Sequence, residues 1–96
     1  METRVEDLPV IHNQIEHRFE IWIDGDRSEL DYRLQGDAVI MYHTGVPTPL
    51  EGRGIAGRLT RAALEFAEAE SLRVVPLCSY VSAYIRRHPQ YAKLVR

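Results

Sequence analysis

The six residues Gly52–Gly57 combine glycines with an arginine in a way that suits an anionic ligand. They come after an apolar run over 38–42 and open a strongly patterned helix over 57–70. A glycine-rich turn at a helix start can direct several free backbone N–H groups at one point, and the helix dipole adds positive potential there. Arg53 and Arg58 flank the glycines and would act as counter-ions. The segment therefore predicts a phosphate or pyrophosphate site, with a purely structural helix start as the alternative.

Two familiar phosphate-binding motifs do not fit this spacing. No Lys-Ser or Lys-Thr pair follows the glycines, as the Walker motif requires, and the strands before them form a meander rather than the start of a βαβ unit. The four histidines and the one cysteine have no metal-ligand spacing, so the sequence predicts no metal site.

Three further side chains at the ends or on the faces of predicted elements could move protons. Cys78 precedes Ser79, a predicted N-cap, and a thiol near a helix N-terminus can have a lowered pKa, although a single cysteine is also a common buried apolar residue. His43 ends the predicted central strand and could act as a base, or be hydrogen-bonded to the backbone. Tyr80 and Tyr84 share one helix face, where a hydroxyl could protonate a leaving group or the rings could simply be core.

Composition and length set the class of protein. The 96 residues fit one domain spanning 1–96, with 45% hydrophobic and 27% charged residues, as in ordinary globular proteins. The net charge of −2 gives no footprint for nucleic acid. One cysteine excludes an intrachain disulfide and fits a reducing compartment, and neither a transmembrane run nor a signal-peptide core is present. We therefore expect a cytoplasmic protein without membrane contact, as a monomer or weak homodimer.

Apolar periodicity predicts an α+β fold. Alternating residues predict strands joined by short turns, and a helical period follows after the prolines of the loop over 44–51. A strand, helix, strand succession implies one parallel pair beside an otherwise antiparallel sheet. The predicted strands are 10–13, 18–23, 30–34, 38–43 and 73–77, the predicted helices are 57–70 and 79–88, and Met1–Asp7 and Tyr91–Arg96 are predicted as a frayed start and a short tail.

Four segments in this order resemble the GNAT superfamily of acetyl-CoA-dependent N-acetyltransferases, and more narrowly a compact GNAT-like subfamily. The segments are H-T-G-V-P (43–47), E-G-R-G-I-A (51–56), V-P-L-C (75–78) and Y-I-R-R-H-P-Q-Y (84–91). The GNAT pyrophosphate loop has the form Q/R-x-x-G-x-G/A, which places Glu51, Gly54 and Ala56 at its defined positions, with Glu51 departing from the usual Gln or Arg.

The resemblance implies a splayed, mostly antiparallel sheet, with acetyl-CoA in the opening between two parallel strands and direct transfer of the acetyl group to a small amine or a protein amine. It implies Cys78, His43 and Tyr84 as catalytic residues. It implies that acetyl-CoA contacts His43, Thr44, Val46, Arg53, Gly54, Ile55, Ala56, Gly57, Arg58, Tyr84, Arg87 and His88. Two alternatives stay open: a CoA-binding module without efficient catalysis, and a protein-interaction domain in which the glycine turn is only structural.

Overall fold

The computed structural model describes residues 4–96 and centres on a five-stranded sheet in the order β1-β2-β3-β4-β5. Neighbouring strands are antiparallel except β4 and β5, which are parallel. The predicted meander, the parallel pair and the α+β class are therefore confirmed. The strands are β1 (Ile11–Asn13), β2 (Arg18–Ile23), β3 (Asp26–Gln35), β4 (Ala38–Gly45) and β5 (Arg73–Pro76).

Two α-helices connect and follow the parallel strands: α1 (Ile55–Ala69) and α2 (Ser79–Arg87). Helix α1 buries an apolar stripe against the sheet, with Leu59, Ala63 and Leu64 fully inaccessible to solvent. Its Phe66 joins an aromatic cluster on β1–β3, at 6.0 Å from the ring of Tyr32. Within residues 4–96, neither helix is long and apolar enough to cross a bilayer. Three short 3₁₀ segments complete the fold: Val5–Asp7, Thr48–Leu50 and Pro89–Leu94.

The backbone at Gly54 explains why α1 begins at Ile55 rather than at the predicted Gly57. Gly54 is the N-cap and has φ of 82°, a left-handed conformation that costs glycine little. The sharp turn there lets the helix start immediately after it. Helix α2 also differs from prediction, because the N-cap is the extended Cys78 and Ser79 is already the first helical residue.

A β-bulge interrupts the pairing of β3 with β4. Asp31 pairs with His43 while Tyr32 pairs with Met41, so Tyr42 is an extra residue in β4. Since side chains otherwise alternate between faces, the bulge leaves Tyr42 and His43 exposed and returns Thr44 to the face that packs on α1. Strand β4 also runs on to Gly45, into the segment predicted as loop.

Both terminal predictions need correction. Residues 91–96 are not a loose tail, because Tyr91 and Leu94 are buried and Val95 forms a parallel bridge with Val74 on the outer edge of β5. The predicted frayed start is wrong for Val5–Asp7, which forms a 3₁₀ turn, while residues 1–3 lie outside the described part of the chain.

Replacing Leu94 with alanine should lower the free energy of unfolding by about 2–5 kcal/mol, the usual effect of truncating a buried leucine. Leu94 is only 8% exposed in the core cluster. Gln90→Ala, at an exposed position of the same 3₁₀ segment, should change the free energy by about 0.5 kcal/mol or less. Urea denaturation monitored by circular dichroism measures both, and equal small effects would mean that the segment contributes nothing to the core.

Candidate functional site

A cavity of about 390 Å³ lies between the end of β4 and the start of α1. The carboxyl ends of parallel strands meet at one edge of a sheet, so the starts of α1 and α2 lie close to each other there. A Cβ on Gly57 of α1 would lie 3.5 Å from the hydroxyl oxygen of Tyr80 of α2. The walls come from β4 and the residue after it (Thr44, Val46), the connecting loop (Leu50, Glu51, Gly52), α1 and its cap (Gly54, Ile55, Ala56) and α2 (Tyr80).

The first turn of α1 provides the hydrogen-bond donors of this cavity. The N–H of Arg58 donates to Gly54 O at 3.2 Å, which closes the first helical bond. The preceding N–H groups of Ile55, Ala56 and Gly57 have no acceptor among residues 4–96, and Gly54 offers no capping side chain. Three donors and the positive end of the helix dipole are therefore available to an anion.

The two glycines before α1 keep the approach to these donors open. Gly52 and Gly54 have φ of 79° and 82°, and a Cβ built on either would meet no atom within 4 Å. A ligand can therefore reach the backbone at this turn without competing side chains.

The arginines that flank the glycines have different surroundings from those predicted. The guanidinium of Arg58 donates from one nitrogen to the carbonyls of Val5 and Leu8, both at 2.5 Å, and Arg58 does not line the cavity. Arg53 is exposed. Glu51 adds a carboxylate to the wall, so the attraction for an anion rests mainly on backbone groups.

Cys78 and Thr44 are brought together at the point where β4 and β5 separate. The last pair of these strands is Met41 with Pro76, and the N–H of Cys78 extends the contact by donating to Met41 O at 3.0 Å. The Cys78 Sγ lies 3.3 Å from the hydroxyl oxygen of Thr44. Beyond this contact, β4 has no further partner on its β5 side within the described residues.

The surroundings of the Cys78 thiol stabilise its ionised form. Burial alone would raise the pKa of this thiol, but hydrogen bonds from the Thr44 hydroxyl and from the N–H groups of Val81, Tyr80 and Thr44 outweigh burial and lower it. The thiol therefore gives up its proton more readily than an ordinary cysteine.

His43, the other predicted proton carrier, lies on the opposite face of the sheet. Its side chain is 52% exposed, and its Nε2 lies 3.4 Å from Glu29 Oε2 on β3. It does not line the cavity, although its neighbour Thr44 does.

Tyr84 and Arg87 lie further along α2, His88 caps the end of this helix, and none of the three lines the cavity. Tyr84 is buried, its ring stacks on His88 with centroids 3.9 Å apart, and burial raises the pKa of its hydroxyl. Nδ1 of His88 lies 2.9 Å from Tyr84 O at the helix end. The tyrosine that reaches the cavity is Tyr80, which shares the predicted helix face with Tyr84 but was not among the site residues that the resemblance implies. Its position in the first turn after the second parallel strand was the available signal.

Known proteins resemble this chain over most of its length. The sequence matches the GCN5-related N-acetyl-transferase family over residues 18–94. Protein NATD1 of Homo sapiens is 35% identical over 85 residues, which cover 85% of this chain and 75% of that protein. Protein NATD1 of Danio rerio is 32% identical over 93 residues, which cover 92% of this chain and 84% of that protein.

A solved structure supports the same relationship. A GCN5-like N-acetyltransferase candidate from Staphylococcus aureus, determined by NMR in solution, superimposes with a TM-score of 0.74 at 26% identity, covering 94% of this chain and 89% of that chain. The fold and the cavity thus define a protein of the GNAT class. The chain belongs to the GCN5-related N-acetyltransferase family, which confirms the resemblance and the GNAT-like fold.

Thr44→Val should raise the pKa of the Cys78 thiol, because it removes a hydrogen-bond donor and keeps the side-chain shape. The thiolate fraction at neutral pH then falls, and alkylation by iodoacetamide slows. The pH dependence of the alkylation rate of Cys78 moves to higher pH. Thr48→Val, at an exposed threonine, is the matched control and should leave the alkylation curve in place. A curve that is unchanged in Thr44→Val would show that the Thr44 hydroxyl does not stabilise the thiolate.

Proposed function

We propose that this protein is an acetyl-CoA-dependent N-acetyltransferase that moves the acetyl group directly to an amine. The observation that carries the proposal is that one cavity lies between two sets of groups without partners among residues 4–96: three N–H groups in the first turn of α1 and the end of β4 on its β5 side. Family membership supplies the class of reaction, and this cavity supplies a place for the acetyl donor.

The residues present fit coenzyme A. The N–H groups of Ile55, Ala56 and Gly57 would hold the diphosphate, and the open turn at Gly52 and Gly54 admits it to the backbone. The backbone of Thr44–Val46 would pair with the amides of the pantetheine arm, as an added strand does. When bound, the donor supplies an acetyl carbon activated as a thioester, whose bond to sulfur breaks as its bond to the amine nitrogen forms.

Two side chains near the end of β4 would transfer the protons: Cys78, which contacts Thr44, and His43 on the opposite face of the sheet. Cys78 does not itself line the cavity, but its Sγ contacts the cavity residue Thr44, and it would give its proton to the departing thiolate and recover one from solvent. An amine approaching from the opposite face would lose a proton to the imidazole of His43. The neutral amine arises from an ammonium ion that first loses one proton to solvent. Two protons thus leave nitrogen, one reaches sulfur, and one is released overall.

Tyr84 has a weaker case as the acid than Cys78. Burial raises the pKa of its hydroxyl, its ring stacks on His88, and Tyr84 does not line the cavity. We therefore assign it a packing role beside Gly57 and His88.

Incubating the protein with acetyl-CoA and a panel of amines tests the proposal. The panel contains polyamines, amino acids, small alkylamines and a lysine peptide, and mass spectrometry measures acetylated product and intact protein. At least one amine should gain an acetyl group, and Cys78→Ala should lower turnover about tenfold or more while acetyl-CoA still raises the melting temperature. The wild-type protein should carry no acetyl group on Cys78 during turnover.

The same experiment separates the alternatives. Stabilisation by acetyl-CoA without any acetylated amine identifies a CoA-binding module. No stabilisation by acetyl-CoA or CoA rejects the site altogether. An acetyl group that accumulates on Cys78 and then moves to amine replaces direct transfer with a covalent route.

A charge placed at the first turn of α1 tests the diphosphate site. Ala56→Asp should lower acetyl-CoA affinity at least about tenfold, or about 1.4 kcal/mol, because its carboxylate repels the diphosphate at the free N–H groups. The same carboxylate interacts favourably with the helix dipole, so the melting temperature of the free protein should hold or rise. Isothermal titration calorimetry and thermal unfolding measure the two effects.

Two further variants control for this result. Ala56→Asn has nearly the same shape without the charge and should lose much less affinity. Glu51→Gln removes a carboxylate from the same cavity wall and should raise affinity. Equal losses in the Asp and Asn variants would mean that shape, and not charge at this turn, governs binding.

A further inference from the structure

The geometry points to Glu29 as a positioning residue that orients His43 for proton transfer. This inference rests on the proposed function, because it concerns the base of the same reaction. The side chains of Glu29, Asp31 and His43 share the face of the sheet opposite α1, since Asp31 pairs with His43 and Glu29 pairs with Gly45.

The Glu29 carboxylate is held from two sides. Its Oε1 accepts a hydrogen bond from Arg27 Nε at 3.2 Å, and its Oε2 lies 3.4 Å from His43 Nε2. Its side chain is only 16% exposed, whereas that of His43 is 52% exposed. The carboxylate is therefore the fixed partner, and the imidazole is the one that solvent and ligands can reach.

Gly45 provides the space for this contact. A Cβ at position 45 would overlap Oε2 of Glu29 and come within 3.0 Å of His43 Nε2. The φ of Gly45 does not lie in the left-handed region, so its backbone does not require glycine. The missing side chain allows the carboxylate to lie against β4 and reach the imidazole.

This contact selects one form of the imidazole. A carboxylate beside Nε2 favours the tautomer with its proton on Nε2, which leaves Nδ1 as the proton acceptor. When Nδ1 takes a proton, the imidazolium lies beside Glu29 and its cross-strand partner Asp31. Neutral amine acceptors need such a base, since they lose a proton as the amide forms.

The other charges around His43 form one group on β2 and β3. Burial raises the pKa of the Asp31 carboxyl, and Glu29 raises it further, while His43, Arg18 and Arg27 oppose the rise. Arg18 is already paired with Glu20 at 2.6 Å, and Arg27 with Glu29 at 3.2 Å. Glu29 is the carboxylate of this group in direct contact with the imidazole.

Two variants test the role of Glu29 by different routes. Glu29→Gln removes the charge with almost no change of shape. Gly45→Ala keeps every titratable group and uses one methyl group to push the carboxylate away from Nε2. Glu68→Gln, which removes an exposed carboxylate paired with Lys93 on the far side of α1, is the control. Thermal unfolding confirms that each variant is folded.

We expect Glu29→Gln and Gly45→Ala to lower kcat about tenfold, less than the loss of the base itself would cost, because His43 is still present in both. In Glu29→Gln, KM for acetyl-CoA should stay unchanged. Nitrogen-15 NMR of labelled histidine should show His43 protonated on Nε2 in the wild type and a mixed tautomer in both variants. Glu68→Gln should behave as the wild type.

The tautomer measurement needs no turnover. The proposed function and the role of Glu29 can therefore be rejected independently of each other. A wild type that acetylates no amine overturns the proposed function, while the NMR result still decides whether Glu29 fixes the imidazole. An active enzyme whose kcat and His43 tautomer are the same in Glu29→Gln as in the wild type overturns the role of Glu29. A fall in activity with an unchanged tautomer also overturns it, because a purely structural effect would explain the loss.

Discussion

One extra residue in β4 determines what each face of the sheet presents at the site. Because Tyr42 has no partner in β3, the alternation of side chains changes phase there, so that His43 faces one side and Thr44 the other. Without the bulge, Thr44 would leave the face on which it meets Cys78. The cavity wall and the Glu29–His43 contact both depend on this single irregularity.

The parallel pairing of β4 and β5 contributes the second requirement. Because β4 and β5 are parallel, their carboxyl ends lie at the same end of the sheet, and the helices that follow them start there. The N–H groups in the first turn of α1 and the hydrogen-bond donors around Cys78, at the start of α2, therefore lie near each other. If β4 and β5 were antiparallel, their carboxyl ends, and the groups that follow them, would lie at opposite ends of the sheet. The pairing of β4 with β5 thus positions backbone N–H groups, rather than a lysine side chain, to attract a phosphate and to stabilise a thiolate.

Periodicity predicts most of the fold and the position of the glycine turn, because alternation and helical spacing are local properties. The bulge is not predictable in this way, since Met41-Tyr42-His43 reads as a continuing strand and the shift depends on pairing with β3. The contacts of Arg58 are not predictable from the local sequence either. Its spacing suggests an anion contact, yet its guanidinium meets the carbonyls of Val5 and Leu8, which are some fifty residues away in sequence. Long-range contacts of this kind decide which charges remain for a ligand.

The bridge between Val95 and Val74 covers part of the outer side of β5, where another copy of the chain could otherwise pair. Strand β5 is the outermost strand on its side of the sheet, and an open outer strand is a template for pairing with another chain. Here the N–H of Arg96 donates to Val74 O at 2.9 Å, and the Arg73 guanidinium bonds the carbonyls of Lys93 and Val95. Residues 93–96 therefore occupy the outer side of β5 themselves, which leaves less of this strand open to pairing with another copy of the chain.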